Sequence, residues 1–260
     1  SSKSALRTIS SMADAPNYGY YRNPRFSVNQ LAEYMTTTTA SQRESVIRSA
    51  KFPRKPAVIP YSQSKRIIGN FLTGNTGKLS HIDDDIGRIE TRLRREPDGW
   101  MQDELKRNLD ALKAFKAAFT KNRLKRLSFL PGPVDLAMKL GGVRINCRLD
   151  VSVSETGGDD VTYSGGCVLF VANTDSSRKN LEDRSKSVAT MIQWELESSN
   201  PNIEPLPRLC ISFDIFGQKI TKAPNTSTRL RSQMRSSCEE AAGRWNTVEP
   251  PGGYDGPPWR

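Results

Sequence analysis

Histidine is almost missing from this sequence of 260 residues, because His81 is the only one. A single imidazole argues against a Ser–His catalytic pair, a multi-histidine metal site and a histidine-containing zinc finger. No apolar run approaches the ~18 residues that a membrane-spanning helix needs, and Ser1 to Ser11 lack the apolar core of a secretory signal. We therefore expect neither a membrane protein nor a secreted one.

Closely spaced cysteines are also missing. The four that occur, Cys147, Cys167, Cys210 and Cys238, are widely spread and form no CxxC pair. Zinc sites gather their ligands at short spacing in turns, so this pattern favours four buried, reduced thiols. Reduced thiols indicate a reducing compartment, and we expect the protein to be cytoplasmic.

The sequence has no recognisable phosphate-cradling loop. The glycine pairs at 157–158 and 165–166 lack the lysine and the helix start that such a loop requires. Residues 74–77 have the GxxG form of an RNA-binding loop, but no strand–helix frame surrounds them. We expect neither nucleotide hydrolysis nor a small-molecule cofactor.

Positive charge is what the sequence has in excess. Lysine and arginine outnumber aspartate and glutamate by 39 to 28, which gives a net charge of +11. The excess lies in two segments, 41–70 and 106–126, with the acids Asp83, Asp84 and Asp85 between them. Such clusters neutralise phosphates and release counterions, although a solvated basic face is also common. The candidate nucleic-acid-binding residues are Arg48, Lys51, Arg54, Lys55, Lys65, Arg66, Lys121, Arg123, Lys125 and Arg126.

Helical patterns fill the N-terminal half. Residues 1–26, with three tyrosines, are typical of a flexible arm, and 27–99 are predicted to form a helical domain. Two capping boxes, Ser27-x-x-Gln30 and Ser41-x-x-Glu44, predict the first two helix starts. Apolar stripes predict further helices over 62–72, 80–94 and 101–119.

At about Leu127 the apolar period changes from 3.6 to 2. Strands are predicted over 134–140, 143–153 and 166–172, with a hairpin turn at Gly141-Gly142. A helix over 178–198, strands over 209–215 and 219–223, and a last helix follow. Proline and glycine then predict a disordered tail over 249–260. The predicted fold is α+β or α/β: a helical N-terminal half, then a core over 100–248 in which helices flank a mixed sheet.

The element order αβββαβ resembles the core of the restriction-endonuclease-like PD-(D/E)XK nucleases over roughly residues 100–223. The resemblance implies a divalent metal, Mg²⁺ or Mn²⁺, that activates water. It makes Asp150 the metal ligand, at the place of that family's Pro-Asp, with Asp214 and Lys219 as further catalytic candidates. Glu155, Asp159 and Asp160 are other possible ligands. Where the family has acid-x-lysine, however, this sequence has Cys167-Val168-Leu169, which supplies no oxygen ligand. Without a metal, Asp150 is expected to pair with Arg148 or Arg144.

The C-terminal part is also similar to a group of uncharacterised bacterial proteins. The likeness rests on the strand 209–214, Ala223-Pro224, Cys238-Glu239-Glu240 and the segment from Trp245 to Pro251. Those proteins carry a lysine on the strand where this sequence has Leu169. This second resemblance implies no activity.

Three functions therefore stay open. The first is a nucleic-acid-binding protein with a degenerate nuclease-like core, acting as a subunit of a larger defence or mobile-element assembly. The second is an active metal-dependent nuclease. The third is a protein-interaction subunit that docks partners through residues 1–26 or 249–260, with the charge serving solubility only.

Overall fold

The computed structural model describes residues 16–55, 59–74, 78–122, 124, 127–132, 134–156, 162–174, 179–199 and 205–259. Their fold is α+β, as the sequence predicts: a helical N-terminal half precedes two sheets that include parallel and antiparallel pairs. The helices are α1 (Val28–Thr36), α2 (Ala40–Lys51), α3 (Ser62–Thr73), α4 (Ser80–Arg95), α5 (Gly99–Lys121), α6 (Leu181–Ser199) and α7 (Thr228–Trp245). The strands are β1 (Arg25–Ser27), β2 (Ser128–Leu130), β3 (Val134–Leu140), β4 (Val143–Leu149), β5 (Val151–Thr156), β6 (Thr162–Phe170), β7 (Pro205–Asp214) and β8 (Lys219–Lys222).

Side-chain caps fix the starts of the first two helices, and one differs from the prediction. At α1, Ser27 accepts from the Gln30 amide while the Gln30 side chain accepts from the Ser27 amide, so this capping box is confirmed. The predicted box at Ser41 is wrong. The N-cap of helix α2 lies two residues earlier, at Thr39, which accepts from the Gln42 amide.

The strands form two sheets rather than one. A three-stranded sheet has the order β1-β4-β3, with β1 parallel and β3 antiparallel to β4. A five-stranded sheet has the order β2-β5-β6-β7-β8, in which only β6 and β7 are parallel, joined through α6. The turn between β3 and β4 is confirmed, since Gly141 and Gly142 have φ of 52° and 81°.

Asp150 divides the strand that the sequence predicts over 143–153. Up to Leu149 the chain belongs to the three-stranded sheet, and from Val151 it belongs to the five-stranded one. The alternation of buried residues continues through the bend, because Leu149 and Val151 are both buried, in two different cores. Periodicity alone therefore does not reveal that the chain changes sheets here.

Two cores lie on opposite faces of the five-stranded sheet. Helices α3, α4 and α5 cover one face and form the first core with it. Helix α6 covers the other face and also contacts β3, β4 and α1, so it lies between the two sheets. Helices α1, α2 and α7 complete this second core. The N-terminal helices thus divide between two cores instead of packing into a core of their own.

The C-terminal segment packs against the N-terminal one. Residues 248–259 contain no helix or strand, but the Asp255 carboxylate accepts from the Asn17 side chain and from the amides of Asn17 and Tyr18. The Tyr254 ring lies 5.7 Å from the Tyr18 ring and 5.1 Å from the Phe52 ring. This packing differs from the disordered tail that the proline and glycine content predicts. The predicted arm is described only from residue 16 onwards.

The four cysteines are free and buried, as predicted. Burial raises the pKa of the Cys210 and Cys238 thiols to about 12, and it raises those of Cys147 and Cys167 as well. Buried thiols with raised pKa values are poor nucleophiles and poor metal ligands. Within the described ranges, no helix combines the length and the apolar character that crossing a membrane requires.

Candidate nucleic-acid interface

The outer face of the three-stranded sheet is polar and largely cationic. Along β4 the side chains of Val143, Ile145, Cys147 and Leu149 are buried, so those of Arg144, Asn146 and Arg148 point outward. The register aligns Arg25 of β1 and Lys139 of β3 with Arg144, one on each side. We call this surface the basic sheet face. It is defined by Arg25, Ser27, Asp135, Ala137, Lys139, Arg144, Asn146 and Arg148.

Three cations therefore form one row across adjacent strands. Like charges directly opposite each other destabilise a sheet, so the row of Arg25, Arg144 and Lys139 costs folding free energy. Among the residues with described positions, none of the three lies within 4.0 Å of a carboxylate oxygen; Arg144 Nε instead donates to Asn146 Oδ1 at 3.1 Å. The row thus has no carboxylate partner in the described part of the protein.

A first groove of about 640 Å³ runs along the basic sheet face. Its wall includes Tyr21, Arg25, Arg144 and Arg148 from the sheet side, and Lys65 of α3 from the other side. Two carboxylates, Asp135 and Asp150, also line it. Asp135 is the register partner of Arg148. The first groove therefore carries more cations than anions.

A second groove of about 490 Å³ runs along α3. Its helical wall is the polar stripe of α3, opposite the buried residues Ile67, Ile68, Phe71 and Leu72. The stripe contains two cations and no acid: Ser62, Lys65, Arg66, Gly69, Asn70 and Thr73. Both grooves are lined by Lys65, Arg148 and Asp150, so they meet at these residues.

Asp150 is held firmly at this junction. Its Oδ2 accepts from the Leu169 amide at 2.7 Å, and Lys65 Nζ lies 3.7 Å from the same oxygen. Its own amide donates to the Cys167 carbonyl. Gly132 passes so close to the main chain of Asp150 that a Cβ there would overlap the Asp150 carbonyl. The expected partner of Asp150 was Arg148 or Arg144, whereas its ion pair is with Lys65 of α3.

The other two catalytic candidates lie elsewhere in the five-stranded sheet. Asp214 is the register partner of Lys219 at the end of β7, and strand β6 separates it from β5. Asp214 lies two strands away from Asp150 across the sheet and two residues further along the strand direction. At the usual strand spacing and rise per residue, the two Cα atoms are roughly 12 Å apart. Asp214 Oδ1 accepts from the Gly217 amide at 2.9 Å, and Lys219 Nζ donates to Glu182 at 3.0 Å.

The structure offers Asp150 few partners as a metal ligand. The described residues contain no group of three or more histidine, cysteine, aspartate or glutamate side chains that fits a metal ion. A hard cation such as Mg²⁺ is usually bound through one or two carboxylates together with waters and substrate phosphates. Of the other predicted ligands, Glu155 pairs with Arg208 at 2.9 Å, and Asp159 and Asp160 lie outside the described residues.

The first predicted basic segment divides between the grooves and the interior. Lys65 and Arg66 line the second groove, and Arg54 and Lys55 are exposed beside the N-terminal segment. Arg48 pairs with Glu44 and donates to the Glu249 carbonyl.

Among the predicted nucleic-acid contacts that the structure describes, Lys51 is buried. Its Nζ donates to the carbonyls of Trp245 and Val248 at 2.9 and 2.8 Å, and only 2% of the residue is exposed. It therefore holds the C-terminal segment, and its ammonium is engaged by main-chain carbonyls rather than directed at either groove.

In the second basic segment, the described cations of α5 before Lys121 are paired with acids. On α5, Lys113 pairs with Glu90 at 3.0 Å and Lys116 with Asp83 at 2.6 Å, both on α4. Lys121 is exposed at the end of α5 but lines neither groove. Arg123, Lys125 and Arg126 lie outside the described residues.

Sequence reasoning missed the basic sheet face. Arg25 is far in sequence from Lys139, Arg144 and Arg148, and these three are spaced over two predicted strands, so no dense basic run reveals them together. The sequence does contain one indication of this face: the outward-facing residues of the alternating strand are Arg144, Asn146 and Arg148. That Arg25 joins them depends on the parallel pairing of β1 with β4, which local sequence does not encode.

Comparisons with known proteins add no relative. The chain matches no protein-family model, and no curated protein matches it either. The two resemblances inferred from its motifs therefore stay predictions. The functional argument depends on the residues of this chain.

Proposed function

We propose that this protein binds nucleic acid through the basic sheet face and the two grooves that meet at Asp150. The observation that carries the proposal is the row of Arg25, Arg144 and Lys139, which has no carboxylate partner among the described residues. Arg148, Lys65 and Arg66 extend it around the junction into the second groove. A polyanion that contacts this surface would offset the repulsion that the row imposes on the free protein.

Arginine suits this role better than lysine does. A planar guanidinium donates two parallel hydrogen bonds to one phosphate, and its weaker hydration lowers the cost of contact. Three of the cations around the first groove are arginines, on two neighbouring strands. Strands present side chains in fixed directions, which favours a defined ligand path over diffuse attraction.

We also propose that binding, rather than cleavage, is the role of the nuclease-like core. Asp150 already accepts a main-chain hydrogen bond and an ammonium contact, while Asp214 and Lys219 have partners of their own. The protein would then act in the cytoplasm as the nucleic-acid-binding subunit of a larger assembly. Defence or mobile-element function stays an expectation from the nuclease resemblance.

The test is salt-dependent binding of a labelled oligonucleotide, measured by fluorescence anisotropy. Each lost phosphate contact lowers the slope of log K against log salt by about 1, so Arg144→Gln with Arg148→Gln should lower it by about 2. The matched control is Arg95→Gln, at the exposed end of α4 and in neither groove. It should leave the slope unchanged.

Other outcomes would favour the other two functions. Cleavage of the oligonucleotide in Mg²⁺ or Mn²⁺ that Asp150→Ala abolishes would establish a nuclease. Absence of binding at low salt would contradict the proposal and would leave protein interaction as the role. Residues 16–20 and 254–259 contact each other in the structure. A protein partner that docks on either segment would then compete with these contacts.

A further inference from the structure

We infer that the ligand of this surface is a single strand rather than a duplex, with a base stacked beside Tyr21 and the sugar–phosphate backbone against Gly69. This inference rests on the proposed function and specifies the substrate class. Three features of the grooves carry it. Asp135 and Asp150 lie among the cations, Tyr21 presents an exposed ring on a hydrogen-bonded main chain, and Gly69 leaves empty space on the surface of α3.

The carboxylates fit bases better than phosphates. Asp135 lines the first groove and Asp150 the junction, each beside a cation, so a continuous phosphate backbone would meet negative charge at both places. Aspartate instead accepts hydrogen bonds from the amino groups of bases. Unpaired bases expose their Watson–Crick edges, which a duplex hides. Alternating cations and carboxylates therefore match a strand whose bases point into the groove.

Tyr21 presents an aromatic ring at the first groove. The residue is 38% exposed, and the Arg25 guanidinium lies 4.0 Å from the ring centroid. Its main chain is fixed at both polar atoms, because its amide donates to the Lys51 carbonyl and its carbonyl accepts from Trp245 Nε1. Aromatic rings and guanidinium planes are the surfaces on which unpaired bases stack. A duplex offers such a surface only at its ends.

Gly69 leaves open space in the wall of the second groove. It lies in the interior of α3, where glycine is less favourable than alanine because it loses more backbone conformational freedom on folding. A Cβ built at this position would meet no atom within 4 Å, so nothing in the protein requires glycine there. Glycine permits a ligand backbone to approach the helix closely. Lys65 and Arg66, one turn away on the same stripe, would contact its phosphates.

The experiment compares a labelled 12-nucleotide single strand with its duplex, in DNA and in RNA, at one low salt concentration. The single strand should bind at least about tenfold more tightly than the duplex. Tyr21→Ala should weaken single-strand binding about 5- to 150-fold, while Tyr21→Phe, which keeps the stacking surface, should stay within about twofold. Gly69→Ala should raise thermal stability yet weaken binding about fivefold or more.

Gly87→Ala is the matched control for Gly69→Ala. Gly87 also lies inside a helix with no atom within 4 Å of a built Cβ, but it lines neither groove. It should raise stability equally and leave affinity unchanged. Equal or tighter binding of the duplex, or full affinity in both Tyr21→Ala and Gly69→Ala, would overturn the inference and leave the proposed function intact. Absence of binding to every oligonucleotide would instead refute the proposed function.

Discussion

Replacing Glu195 by glutamine should remove most of the pH dependence of stability between pH 5 and pH 8. Glu195 lies on α6 between the two sheets and is fully buried. Its neighbour is the weakly polar Cys147 thiol, and within the described residues neither carboxylate oxygen has a hydrogen bond of normal geometry. Burial therefore raises its pKa from 4.5 to about 8. The folded protein holds this proton where the unfolded chain has released it, so stability falls as pH rises from about 4.5 to about 8.

The magnitude follows from the pKa shift. Each pH unit over which the folded protein holds one proton more than the unfolded chain lowers the free energy of unfolding by about 1.4 kcal/mol. Between pH 5 and pH 8, Glu195 therefore lowers it by about 3–4 kcal/mol. This value is an upper limit, because structural relaxation would let water reach the carboxylate. Glutamine is neutral at every pH and has nearly the same shape. The variant should therefore gain stability relative to the natural protein as pH rises.

Urea denaturation at pH 5, 6, 7 and 8 measures this effect directly. The series ends at pH 8 because the buried thiols, whose pKa values are also raised, destabilise the fold at higher pH. Glu197→Gln is the control on the same helix: Glu197 is partly exposed and forms a bidentate pair with Arg231. Equal pH slopes for the natural protein and for Glu195→Gln would refute the reasoning.

Two further substitutions test the packing of the C-terminal segment and of the central sheet. Lys51→Met should cost about 2–4 kcal/mol of unfolding free energy, because two buried carbonyls lose their charged donor. Limited proteolysis should then cut within residues 248–259. Resistance to proteolysis equal to that of the natural protein would contradict this role. Gly165→Ala should lower the free energy of unfolding by about 3 kcal/mol or more, since a Cβ there would overlap the Leu209 carbonyl. The control is Gly243→Ala on α7, where the Cβ would enter open space, and it should be neutral or stabilising. Equal thermal midpoints for these two glycine variants would show that the contact is not restrictive.

Local patterns predicted most of the individual elements. The strand over 134–140 and the glycine turn after it agree with the structure, because alternation and positive φ are properties of a few neighbouring residues. The helices over 62–73, 80–95 and 99–121 follow from apolar stripes whose buried faces pack as expected. These features require no knowledge of distant partners.

The candidate site was harder to predict because it depends on contacts between distant segments. The sequence marks Asp150 as a candidate residue, but its partner Lys65 comes from a helix 85 positions earlier, and the bend at Asp150 leaves the alternation intact. The row of Arg25, Arg144 and Lys139 needs the pairing of β1 with β4 as well as that of β3 with β4. Conversely, Lys51 belongs to a dense basic segment in the sequence, yet its ammonium is buried because it donates to the carbonyls of the distant residues Trp245 and Val248.

The most direct test of the central claim is the salt dependence of single-stranded oligonucleotide binding by the natural protein and by the Arg144→Gln, Arg148→Gln variant. The account predicts binding that weakens steeply as salt rises, and a slope lowered by about 2 in the variant but unchanged in Arg95→Gln. The same slope in all three proteins would show that the basic sheet face does not contact nucleic acid and would contradict the account.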